Sequence, residues 1–208
     1  MTREEFIKKL DKRDYSYEIV GDKLVVTHNR YVDLESLKTL PSGVEFRNEG
    51  SVNLASLNSL PSGVLFNNEG NIYLTSLKTL PSGVEFNNEG DVYLDSLNSL
   101  PSGVVFRNEG AVNLSSLKTI DSGVEFGNEG GVYLYSLKTI DSGVEFNNEL
   151  GVELYSLKTI APGVEFNNGG GVWLPSLMGC WFNKYEGNID GIKPHTLLNL
   201  MIKRGVFI

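Results

Sequence analysis

A chain of 208 residues, 40% hydrophobic and 21% charged, has room for one ordinary domain or one short repeat array and is too apolar for disorder. Eighteen Lys and Arg against 26 Asp and Glu leave a net charge of −8, which argues against direct nucleic-acid binding, since that needs clustered cations. One cysteine, Cys180, excludes an intrachain disulfide, and two histidines, His28 and His195, are too few for a zinc or iron site, so neither metal nor cofactor is expected.

The chain opens Met1-Thr2-Arg3-Glu4-Glu5 with no apolar run behind it, and no stretch approaches about 18 apolar residues. No export signal and no membrane partner are expected, and the implied location is cytoplasmic. Thr2 with Glu5 forms a capping box, and Phe6, Ile7 and Leu10 share one face, which predicts a short amphipathic helix over residues 3–13. Tyr15 to Val20 and Lys23 to His28, separated by Gly21-Asp22, read as a hairpin. Residues 1–30 are thus expected to cap the N-terminal end.

From Tyr31 the chain falls into rows of twenty, seven full and an eighth partial, the first reading YVDLESLKTLPSGVEFRNEG. Serine fills the sixth column from Ser36 to Ser176, glycine the thirteenth from Gly43 to Gly163, phenylalanine the sixteenth from Phe46 to Phe166, and asparagine the eighteenth from Asn48 to Asn168. A fixed period of this length means a solenoid, whose turns bury their apolar faces only against neighbouring turns. Val44, Phe46, Asn48, Gly50, Val52 and Leu54 share one parity, the period of a strand, and no useful helix fits inside a turn. The predicted fold is therefore mainly β: a parallel β-solenoid of 20-residue coils over residues 31–183, each coil giving two short strands and two corners. Identical side chains would stack about 4.8 Å apart. The buried asparagines are expected to form an amide ladder that satisfies backbone groups at the corner, and the serines to hydrogen-bond at a corner, since no partnered histidine makes them nucleophiles.

Beyond the repeat, Pro194, Leu197, Leu198, Met201, Lys203, Arg204 and Gly205 mark a helix over 194–204, inside a C-terminal helical cap of 184–208. Cys180 occupies a Leu or Ile column and is expected to be buried. Val206-Phe207-Ile208 must fold back on Trp181 and Phe182 or enter a subunit contact, which leaves a homodimer open. Glu186, Asn188, Asp190 and Gly191 partly mimic a calcium loop, but Leu197 stands where the loop needs a bidentate glutamate.

The words LPSGVEF and NNEG, the opening MTREEFIKKL and the tail from Trp181 resemble uncharacterised 20-residue-repeat proteins of bacteriophages and gut bacteria, loosely called leucine-rich-repeat-like. The resemblance covers nearly the whole chain and implies an architecture and a viral or bacterial origin, with no reaction or ligand attached. The pattern departs from true leucine-rich repeats, because Gly50 stands two positions after Asn48 and no helical return segment fits.

Since the inward columns hardly vary, specificity has to lie in the outward ones. Tyr73, Tyr93, Tyr133, Tyr135, Tyr155 and Trp173 gather in the third and fifth columns, the composition of a protein-binding patch, though cross-strand stacking would use the same residues. Residues 31–183 hold 18 carboxylates against seven basic residues, a net −11, and Glu69, Glu89, Glu109 and Glu129 belong to one acidic column. Rows with Lys38, Lys78, Lys118, Lys138 and Lys158 also carry Glu45, Glu85, Glu125, Glu145 and Glu165, which an exposed ion pair within each coil would explain, as would duplication of a two-row unit. No phosphate loop, zinc-protease motif or nucleophile elbow is present, so the chain reads as a non-enzyme. The leading expectation is a protein-binding solenoid presenting an aromatic and acidic face to a protein partner. The alternatives are a structural or self-assembling rod and an acidic nucleic-acid mimic, a phage inhibitor of a host defence protein. The mimic would carry one net charge per roughly 3 Å, against about 1.7 Å for duplex DNA.

Overall fold

Twenty-residue stacking is the rule that builds the molecule, which is seen here in a computed structural model describing residues 1–178 and 194–203. Every coil lies parallel on the one before in a twenty-residue register, as in Val105 opposite Glu125 and Val112 opposite Val132. The result is a parallel β-solenoid with a helix at its N-terminal end and a short helix near its C-terminal end. Cys180, Trp181, Phe182, the Glu186–Gly191 stretch and residues 204–208 lie outside the described residues, as do the side chains of His195 and Leu197.

Helix α1 (Arg3–Asp11) is closed by the expected box, the Thr2 hydroxyl accepting from the Glu5 N–H and the Glu5 carboxylate accepting from the Thr2 N–H. It buries Phe6 and Leu10 against the first coils. The hairpin follows as β1 (Tyr17–Val20) and β2 (Lys23–Val26). Strand β2 is already part of the solenoid: Leu24 pairs with Val44 and Val26 with Phe46 of β4 (Val44–Phe46), the same offset as every later coil. Strand β3 (Val32–Asp33), lying between them in sequence, begins a separate sheet.

Each full coil has three corners and three sides, one more of each than the sequence pattern suggested. The first sheet has nine strands and runs from the hairpin to Glu165–Phe166; the second has eight and runs from β3 to Val172–Trp173. A third, shorter ladder pairs Ser99–Leu100 with Thr119–Ile120 and Thr139–Ile140 with Thr159–Ile160, and Ser59 bridges Thr79. The extra corner is the turn Leu54–Leu57, closed by the Leu57 N–H on the Leu54 carbonyl at 2.9 Å. Leu57 and Leu60 are both buried while Asn58 and Ser59 are exposed, so this segment makes a side of its own instead of finishing the Pro-Ser-Gly corner.

That second corner requires glycine in the thirteenth column, where φ runs from 71° at Gly43 to 90° at Gly163. At the third corner the reason is space: a Cβ on Gly110 would stand 2.5 Å from the backbone of the preceding coil. Leu150 breaks that column, and its side chain is exposed while its N–H reaches the Glu129 carbonyl at 3.2 Å. The next coil answers with Gly169, where a Cβ would collide with the Glu149 carbonyl oxygen, and so the acidic column stops at Glu149.

The core is a set of side-chain columns. Phe46 to Phe166 form one continuous stack with centroids 4.7 to 5.6 Å apart and ring planes within 7° of parallel. Beside it the buried asparagines serve the third corner, as their column implied. Asn108 Nδ2 donates to the Gly110 carbonyl at 2.7 Å and to the Gly90 carbonyl of the coil before at 3.2 Å, and the pattern repeats along the rod. The amides therefore bind backbone and not one another, which corrects the expected amide ladder, and all seven Oδ1 atoms are buried without a hydrogen-bond partner.

Helices α2 (Pro175–Met178) and α3 (Pro194–Lys203) follow the last coil. Leu198 and Ile202 of α3 are buried, and Asn199 closes a sheet edge by imitating a strand: its Oδ1 accepts the Phe166 N–H and its Nδ2 donates to the Phe166 carbonyl, each at 3.0 Å.

Charge pairing follows the sides and not the rows. The Lys38 to Lys158 column lies on the short third side and the Glu45 to Glu165 column on the outer surface of the first sheet. Among the described residues no ion pair joins them, which corrects the within-coil pairing expected from sequence. Pairs run along the first sheet instead, where Arg107 spans Glu85 at 3.6 Å and Glu125 at 3.8 Å. Glu45 is the one buried carboxylate among the described residues, held by Arg47, Lys23 and the Asn67 amide. Burial alone would raise its pKa, but the bonds from Arg47 and Asn67 and the charges of Arg47 and Lys23 outweigh that and hold it below the usual carboxylate range. Its contribution is therefore complete above that range and disappears as pH falls through it. Glu45→Gln should cost about 1–2 kcal/mol at neutral pH, with the urea midpoints of variant and wild type converging as pH falls below the usual carboxylate range.

Candidate functional site

The second sheet turns its first, third and fifth columns outward, and the tyrosines divide there into two groups of different character. Tyr73 and Tyr93 are neighbours in register and stack with centroids 5.0 Å apart and planes 6° from parallel. Both hydroxyls are tied down: Asn71 Nδ2 donates to the Tyr73 oxygen at 3.1 Å, and Tyr93 donates to Asp91 Oδ2 at 3.0 Å. Burial and the Asp91 carboxylate push the Tyr93 phenol up to about 12. These two rings do the structural work that cross-strand stacking implies.

Asn113 interrupts the column, and beyond it Tyr133, Tyr135, Tyr155 and Trp173 form the second group. The rings are tilted against each other instead of stacked: Tyr133 to Tyr135 at 5.9 Å and 46°, Tyr135 to Tyr155 at 5.2 Å and 71°, Tyr155 to Trp173 at 6.5 Å and 51°. Tyr135, Tyr155 and Trp173 are 38%, 42% and 40% exposed, so each keeps a large apolar surface in water.

Two features of this patch were not picked out from the sequence. The first is its floor. The first column reads Asn71, Asp91, Ala111, Gly131, Gly151, Gly171, losing its side chains where the second aromatic group begins. Tyr133 leans over Gly131, where a Cβ would meet its hydroxyl at 3.3 Å, and among the described residues nothing lies within 4 Å of a Cβ built on Gly171. The second is Glu153, which stands in register between Tyr133 and Trp173. Burial raises the Tyr135 phenol and the nearby Glu153 carboxylate raises it further; for Tyr155 the Glu153 charge is the leading cause.

Glu69, Glu89, Glu109 and Glu129 lie exposed along the corner that leads into this sheet. Each has its N–H fixed on an asparagine carbonyl of the preceding coil, at 3.0 to 3.1 Å, and none is in an ion pair among the described residues. The acidic column therefore borders the aromatic patch on its glycine side without entering it. A shallow polar trough lined by Ser102, Asp121, Ser122, Asp141, Ser142 and Ala161 marks the Pro-Ser-Gly corner.

The serine column sits in the first turn of each coil. Ser176 donates to the Tyr155 carbonyl, and Ser36 accepts from Arg13 at 3.4 Å. His28 packs on Tyr15 at 4.8 Å in the N-terminal cap and accepts the Ser16 N–H. Among the described residues no group of three or more His, Cys, Asp and Glu could hold a metal ion, and no helix is long and apolar enough to cross a membrane. Comparison of the chain with protein-family models, with curated proteins and with solved structures returned no match.

Proposed function

We propose that this chain is a non-enzymatic binding protein whose solenoid presents the C-terminal half of the second sheet to a protein partner. The observation that carries this reading is the contrast between the two aromatic groups. Tyr73 and Tyr93 are stacked and hydrogen-bonded, whereas Tyr135, Tyr155 and Trp173 stand tilted and about two-fifths exposed on a rigid sheet. Rigid Tyr and Trp side chains lose little conformational entropy on binding and dominate the energetics of protein interfaces. The acidic corner alongside would steer a basic partner toward the patch.

Capture from the native host with the wild-type chain and with Tyr133, Tyr135 and Tyr155 all changed to Ser tests this. The three positions are outward, so the variant is expected to keep its fold and lose the partner. A folded triple variant that still captured the partner at wild-type yield would remove the aromatic patch from the binding surface.

A further inference from the structure

The column that carries Tyr133 and Trp173 places a carboxylate between them, Glu153, within hydrogen-bonding reach of the Tyr135 and Tyr155 hydroxyls. Elsewhere this column holds Asp, Asn or Tyr, and its amides bond to neighbouring carboxylates, Asn53 donating to Asp33 at 3.3 Å and Asn113 to Asp95 at 2.9 Å, whereas the groups set beside Glu153 are aromatic. Glu153 is half-buried and in no ion pair among the described residues. In-register neighbours in a sheet are about 4.8 Å apart, so Tyr133 and Trp173 flank Glu153 on either side. Tyr155, two residues on, has its phenol raised chiefly by the Glu153 charge, and Tyr135 meets Tyr155 edge to face. One carboxylate is thus surrounded by four aromatic rings, three of them well exposed.

Resting on the protein-binding reading above, we infer that this aromatic and carboxylate cluster is the recognition site for an arginine side chain of the partner. The chemistry is specific at three points. The faces of Tyr and Trp carry negative charge density and attract a cation, and the planar guanidinium stacks on them better than a compact ammonium does. The same fork of N–H groups can bind a carboxylate in a fixed geometry. A charge on the incoming group also offsets the Glu153 charge, which already sits among partly desolvating rings.

The openness of the site argues that the guanidinium is carried by a protein. A small ligand is normally buried over roughly 70–90% of its surface in a concave pocket. Here Gly151 and Gly171 put no side chain on one flank, and among the described residues nothing stands within 4 Å of a Cβ built on Gly171, which suits a long side chain entering from an approaching surface. The net −11 of residues 31–183 favours approach by a cationic surface.

The test uses blocked arginine, N-acetyl-arginine amide, titrated into the full chain and followed by NMR of the aromatic rings, with blocked citrulline as its neutral isostere. Ring signals of Tyr135, Tyr155 and Trp173 are expected to move with arginine and not with citrulline, while those of Tyr73 and Tyr93 stay still. Glu153→Gln, nearly isosteric and outward, should weaken arginine binding at least fivefold and weaken partner capture with it. Equal shifts with citrulline, no shift with arginine, or unchanged affinity in a folded Glu153→Gln variant would overturn the inference. If the triple tyrosine variant loses the partner while Glu153→Gln keeps it, the binding face stands and the arginine site falls. Loss of neither removes both.

Discussion

Asn108→Asp is expected to destabilise the chain by about 3–5 kcal/mol at neutral pH, although the two side chains differ by one atom. Asn108 is fully buried and donates to the carbonyls of Gly110 and Gly90, which ties the corner of its own coil to the coil before. An ionised aspartate has no donor, so both carbonyls would lose a partner and a negative charge would face them without a counter-ion. The sign of the pH dependence follows. Burial beside carbonyls raises the folded-state pKa of the new carboxyl, so the penalty is smallest below about pH 3.9, where the protonated acid can still donate once, and grows as pH rises. Urea midpoints of variant and wild type should therefore converge in acid and separate toward pH 7. A constant difference across that range would mean that the donor is not what matters at this corner.

Phe106→Ala should cost about 3–5 kcal/mol, by emptying the middle of the phenylalanine stack. Its ring lies 5.1 Å from that of Phe86 and 5.2 Å from that of Phe126, so the variant loses two nearly parallel contacts and leaves a cavity between coils. In a solenoid each turn is stabilised by its nearest neighbours, and a weak turn at the centre divides the array into two short blocks. Phe106→Ala should therefore also broaden the unfolding transition and lower its denaturant slope. Phe106→Leu, which fills most of the space, should cost less than half as much. Equal losses for the two variants, measured by urea unfolding, would point to the ring stack and not to volume.

Much of this fold could be read directly because stacking gives every residue in a column the same surroundings. The phenylalanine and asparagine columns, the thirteenth-column glycines and the outward aromatic columns are all consequences of that repetition, and the α1 capping box is legible from its own local spacing. What escaped were contacts that repetition does not encode. The third side was hidden because Asn58 and Ser59, between buried Leu57 and Leu60, resemble the continuation of a corner. Strand β2 does not show its place in the solenoid in the rows, because Val26 and His28 stand where later coils have Phe and Asn. The Lys and Glu columns vary together, but linear spacing within a coil does not say which side each faces. Asn199 carries no local sign of its role, since its partner is Phe166, 33 residues away. Glu153 carries no aromatic ring to mark it as part of the patch, although the shift from Asn71 and Asp91 to Gly131, Gly151 and Gly171 in the neighbouring column is visible in the rows.

The central claim is that one side of the solenoid, the C-terminal half of the second sheet, is where a partner docks. Site-specific photo-crosslinking in the native host tests it most directly, with the reactive group placed in turn at Tyr135 and Tyr155 on the proposed face and at Lys118 and Lys138 on the third side. All four positions are outward, so the coils should tolerate the substitution. The expected result is one discrete adduct with a different protein from positions 135 and 155, suppressed by Glu153→Gln, and none from 118 and 138. Adducts from the lysine positions alone, equal adducts from both sides, or adducts only between copies of this chain would contradict it.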